Sequence, residues 1–238
     1  MSATNVPAVR TKYTQQEMIT GFIEGWKQLF NELPKKEAIG VIWAQNALET
    51  GSTASMWNNN IGNVKFVASA NPDNDNGKSY MMLSNVWEII NGAKVIFQPP
   101  NPATWFCAFS TLKDGVMFHL DFLKNHRYKS AWGAIEAGDP AQFAHLLKMQ
   151  RYYTAPESDY VKAMNVYFNK FMADKTFEAV IAQYNPTPVP VTPAPVVTPV
   201  PVVVAPPAVV VPPAPVTNNI ASNIGNVISK VWNFFGNK

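Results

Sequence analysis

The stretch "AQNALETGSTASMWNNNIGNVK", residues 44–65, sets one carboxyl, Glu49, between an apolar run and a cluster of small and amide side chains. An anion at the end of an apolar helix is disfavoured twice. Apolar neighbours desolvate it, and the negative pole of the helix repels it. Both effects hold a proton on the carboxyl at neutral pH, which is what the general acid of a glycoside cleavage needs. The residues that follow suit a sugar groove. Gly51, Ser52 and Thr53 permit close approach, Asn58, Asn59 and Asn60 offer amide donors and acceptors, and Trp57 offers a stacking face. Taken alone, Glu49 is more simply a solvated glutamate near a C-cap; the pattern after it reverses that reading.

The elements that must position this carboxyl are legible from periodicity. Residues 14–33 form an amphipathic helix, with Thr14 and Glu17 as a capping box and Met18, Phe22, Trp26, Leu29 and Leu33 at helical spacing. Pro34 fits the first turn of a second helix, which runs to Thr50 and is closed by Gly51. On it Ile42, Gln45 and Glu49 share a face, so Glu49 emerges where the apolar stripe ends. Residues 58–109 read as hairpins and loops, with "KVIFQ" and "TWFCAF" as strands. Helical spacing returns at 112–126, at 139–150 (Asp139 capping, Pro140 first), and at 158–184 with Ser158 capping. The expected fold is mainly α with a small β-lobe (α+β) inserted between the second and third helices.

Composition bounds the partners. A net charge of +3 over 238 residues gives no case for nucleic acid. The lone Cys107, among aromatics, reads as a small buried hydrophobe. His119, His126 and His145 lack ligand spacing, so no metal and no cofactor is expected. Trp105, Phe106 and Trp132 are assigned to core packing. The first residues hold no apolar stretch of the kind that makes an ordinary secretory signal, and none is expected. Domain organisation is read as a flexible lead-in over 1–13, one domain over 14–185, a spacer over 186–216 and an amphipathic helix over 217–238. The spacer carries 12 prolines in 31 residues and suits an extended polyproline conformation. In the last segment Ile220, Ile224, Val227, Ile228, Val231 and Phe235 share a face that suits a protein partner or a membrane interface.

The motif around Glu49 resembles the opening motif of glycoside hydrolase family 73, the peptidoglycan β-N-acetylglucosaminidases. Gln45, Glu49, Thr50, Gly51, Asn59, Asn60, Ile61, Gly62 and Lys65 match it, while Asn63 lengthens the usual step. "FSTLKDGVMFHLDFLKNHRYKSAW" is similar to a further segment of that family, and "RYYTAPESDYVKAM" to its Tyr-Ala-Thr-Asp-Pro-x-Tyr motif, with Ala155 where that motif has an acid. The likeness spans roughly residues 35–172. It implies a lysozyme-like domain, peptidoglycan glycan strands as substrate and Glu49 as general acid. It also implies a catalytic role for Tyr152, with Tyr153 as fallback, and substrate contacts from Gln45, Tyr153, Thr154 and Asn60. From the "YYTAPESDY" form of the second motif it implies a virion setting or release on lysis, acting on the bacterial cell wall. Glu88 best matches the second carboxylate, with Asp73 and Asp75 behind it. Asp114 is more economically an N-terminal cap. The activity expected is an endo-β-N-acetylglucosaminidase. The alternatives are a muramidase or lytic transglycosylase on the same fold, or a non-catalytic wall-binding or structural virion module.

Overall fold

Helix α1 (Gln15–Phe30) starts where its capping box dictates: Thr14 Oγ1 accepts from the Glu17 N–H, and the Glu17 carboxylate accepts from the Thr14 N–H at 2.7 Å. These coordinates are a computed structural model that describes residues 3–68, 78–90, 92–153 and 155–185. The spacer, the terminal amphipathic segment, Asp73, Asp75 and Thr154 therefore lie outside the described residues. Helix α1 stops short of Leu33 because Asn31 turns left-handed (φ 54°) and its N–H closes on the Lys27 carbonyl. Helix α2 (Lys36–Thr50) begins after Pro34 rather than on it; Lys35 is its extended N-cap. Gly51 ends it as expected, at φ 57° and ψ 47°.

The β-lobe falls between α2 and α3. Strand β2 (Ser79–Met82) runs antiparallel to β5 (Trp105–Cys107), with Met81 opposite Phe106. Strands β3 (Val86–Ile90) and β4 (Ala93–Phe97) form a separate hairpin. Residues 3–13, read from sequence as flexible, lie along this lobe. Thr4–Asn5 form β1, parallel to β2, the Val9 N–H donates to Asn58 Oδ1 at 2.7 Å, and Arg10 bridges to Trp57. Each of these pairings joins residues far apart in the chain.

Helices α3 (Leu112–Asn125), α4 (Trp132–Ala137), α5 (Pro140–Met149), α6 (Glu157–Ala173) and α7 (Thr176–Ile181) complete the domain. Asp139 caps α5 through the Ala141 and Gln142 N–H groups. Ser158 does not cap α6: it lies inside the first turn, behind Pro156. The single helix expected over 158–184 breaks at Asp174, whose carboxylate accepts from the Thr176 N–H at 2.7 Å. Short α4 carried too little periodicity to be read.

The core is formed by α1 and α2 against α3, α5 and α6, with Phe22, Ile39, Ile42, Val116, Leu120, Phe143, Met164 and Phe171 buried in one cluster. Burying one such side chain contributes about 1.5–3 kcal/mol. Helices α2 and α6 pack antiparallel and are fastened at both ends. At one end Lys36 Nζ donates to the Met172 carbonyl (2.9 Å), the Asp174 carbonyl (2.7 Å) and the Glu178 carboxylate (2.8 Å). The other end carries Glu49 and Tyr160. The fold is α+β and lysozyme-like.

Candidate active site

Glu49 is the penultimate residue of α2 and is 4% exposed. Tyr160, in the first turn of α6, donates its hydroxyl to Glu49 Oε1 at 3.3 Å. Burial raises the Glu49 carboxyl to about 8, and the Tyr160 hydrogen bond acts against that rise. The proton is therefore held by desolvation and moderated by a phenol. Tyr128 and Tyr152 also feel the charge of Glu49. Burial is the main reason that all three phenols stay protonated, Tyr128 at about 12 and the other two well above the ordinary tyrosine value.

The loop after Gly51 is folded by its own amides. Asn46 Nδ2 donates to the Ile61 carbonyl at 2.8 Å. Asn60 spends both amide hydrogens on the Val64 and Cys107 carbonyls, each at 2.9 Å, and accepts from the Val64 N–H at 2.8 Å. Asn59 accepts from the Tyr13 hydroxyl at 2.6 Å and donates to the Phe109 carbonyl at 2.9 Å, while Asn58 ties down residues 7–9. The additional Asn63 has a structural use as well: its amide donates to the Glu49 carbonyl, one of the otherwise unpaired acceptors at the end of α2.

Several residues expected to touch sugar are thus occupied elsewhere. Asn60 is 1% exposed with no amide hydrogen to spare, so it holds the loop rather than a ligand. Tyr153, 3% exposed, stacks on Tyr160 with ring centres 3.8 Å apart and donates to the Ala144 carbonyl; it backs the site instead of lining it. Gln45, fully buried, faces His119 at 3.0 Å. Trp57 carries the Arg10 guanidinium over its ring at 4.7 Å and packs beside Met81 and Phe106.

Glu49 and Glu88 have different partners. Glu49 is brought together with Tyr152, Tyr160 and Tyr128. Glu88, on β3, is ion-paired with buried Lys65 at 2.9 Å, and Lys65 also donates to the Ala103 carbonyl. Burial pulls the Lys65 ammonium below its usual range, with Glu88 opposing that fall. Asp114 is not itself the cap of α3: Thr111 is, its Oγ1 accepting from the Asp114 N–H and donating to the Asp114 carboxylate at 2.6 Å, so Asp114 lies in the first turn as the partner of the cap. Tyr160 was missed although it is the last tyrosine of the "YYTAPESDY" segment. Its period places it on the core face of α6, where a phenol reads as packing. His119 was seen as a lone histidine with nothing in the sequence to show its partner.

The site is thus a buried carboxyl at a helix end, hydrogen-bonded to a phenol on a second helix, in a lysozyme-like domain that carries a small β-lobe. The family model for glucosaminidase, described as mannosyl-glycoprotein endo-β-N-acetylglucosaminidase, matches residues 30–173, and the chain belongs to this family. The protein is accordingly a glycosidase acting on peptidoglycan. Neither a curated protein nor a solved structure matches the chain.

Proposed function

We propose that the protein cuts the β-1,4 glycan backbone of peptidoglycan as an endo-β-N-acetylglucosaminidase, with Glu49 as the general acid. The observation that carries this reading is the Glu49 carboxyl itself, raised to about 8 by burial and partnered by a phenol instead of a cation. Glu49 gives its proton to the glycosidic oxygen as the C–O bond breaks, and the sugar passes through an oxocarbenium-like state. The carboxylate left behind keeps the Tyr160 O–H bond, then takes a proton from the attacking water, which restores the acid. Tyr152, beside Glu49, orients or supports the reacting sugar.

Glu88 is held by Lys65, which weakens it as a free nucleophile and favours the substrate's own acetamido oxygen as the internal one. That route predicts a product with retained anomeric configuration; inversion would count against it.

Glu49→Gln tests the assignment. Sacculi treated with this variant should release no reducing ends, while its thermal midpoint at pH 5 stays near that of the parent. Full activity would refute the acid. Mass spectrometry of reduced products from the parent enzyme should show N-acetylglucosamine at the new ends. Muramic acid or anhydromuramic ends would instead favour the muramidase or transglycosylase reading.

A further inference from the structure

Behind Glu49 the core holds polar groups that the acid does not account for. Gln45 lies one turn before Glu49 on α2, His119 lies on α3, and their exposures are 0% and 2%. They meet at 3.0 Å between Gln45 Oε1 and His119 Nε2, yet Gln45 Nε2 and His119 Nδ1 have no hydrogen-bond partner among the described residues. Buried polar atoms left this way cost about 1–3 kcal/mol each, so a purely structural pair would be an expensive way to fill a core.

Burial pushes the His119 imidazole down to about 4, so it carries a single N–H through the neutral range. With the Gln45 oxygen at Nε2, that hydrogen sits on Nε2, and Gln45 fixes the orientation of the imidazole. Tyr152 carries a hydroxyl that burial keeps protonated, well above the ordinary tyrosine value. That hydroxyl in turn donates to the Gly62 carbonyl at 3.3 Å. The His119 ring closes the arrangement, because a Cβ on Gly62 would lie 2.2 Å from His119 Cε1. Only glycine lets this part of the loop rest on the imidazole.

We propose that His119 and Gln45 are positioning residues: Gln45 fixes the His119 ring, and the ring backs the Gly62 carbonyl that holds the Tyr152 hydroxyl in the orientation it needs beside Glu49. The proposal rests on the role given to Tyr152 above. Neither side chain meets the sugar; both act through the tyrosine.

A double-mutant cycle on the full chain, assayed on soluble glycan fragments and normalised to folded protein, tests it. His119→Leu should lower kcat about tenfold with KM within about twofold, and Tyr152→Phe should lower it by a similar factor. The double variant should be no worse than Tyr152→Phe. His119→Gln, whose Nε2 stands where the ring donor stood, should recover most of the loss. If His119→Leu does not fold, Gln45→Met replaces it in the same cycle. Parent-like kcat in the folded His119 or Gln45 variants, or losses that multiply in the double, overturns the proposal. Parent-like turnover in Tyr152→Phe overturns it together with the role of Tyr152, whereas failure of the acid assignment appears separately, as activity in Glu49→Gln.

Discussion

Glu49 owes its proton to burial, and Tyr160 limits how firmly that proton is held. The active form is the protonated one, so kcat/KM should be level in the acid range and fall as pH rises through about 8. Tyr160→Phe removes the bond that favours the carboxylate. The carboxyl must then rise further, and the alkaline limb moves to higher pH. Turnover at pH 6 should nevertheless drop about tenfold, because the anion formed on proton transfer loses a charge-assisted hydrogen bond worth roughly 1.5–3 kcal/mol. A pH–rate profile of the variant checks both effects. A limb that stays in place or moves down would mean that Tyr160 does not set the acid.

Between α2 and β2 the loop is a scaffold held by amide side chains, with Ser52, Thr53, Asn58, Asn59 and Asn63 all at positive φ. Thr53 at φ 72° is the costly one, since a branched Cβ is unfavourable there, and its hydroxyl is held near the Tyr13 backbone. Asn60→Ala would strand the Val64 N–H and two carbonyls, with an expected loss on the order of 3 kcal/mol, read as a lower midpoint in denaturant with an unchanged slope. A loss under about 0.5 kcal/mol, the range of ordinary surface substitutions, would return Asn60 to the substrate-contacting role first read for it. What the sequence made legible at this scale was local. Thr14–Glu17, Asp139–Pro140 and Gly51 act within a few residues, and their elements appear as expected. The acid was legible because helix end and apolar stripe coincide at Glu49. The asparagines were not, since nothing in an amide's identity says whether it will bond a sugar or its own backbone. Tyr160, His119 and β1 depend on partners 74 or more residues away, a distance that no periodicity reports.

For the whole molecule, a carboxyl protonated in the folded state is a charge on its stability. Glu49 goes from about 4.5 unfolded to about 8 folded, so the native state binds the extra proton between those values. Its contribution is intact below about pH 4.5 and is lost progressively as pH climbs to about 8. Glu49→Gln cannot ionise and escapes this loss. Its thermal midpoint, near the parent's at pH 5, should exceed it by roughly 3 °C or more at pH 9. Parallel melting curves across that range would show that the carboxyl is solvated. The antiparallel pair of α2 and α6 ties this chemistry to the rest of the chain. Lys36 grips one end of the pair and Glu49 meets Tyr160 at the other, 13 residues and about 20 Å along α2. Sliding one helix past the other by a single turn would tear both fastenings at once, so neither can be lost by degrees. A lysine with no part in the reaction thereby keeps the calibration of the proton donor, as a tuning peg keeps the pitch of a string plucked at its far end.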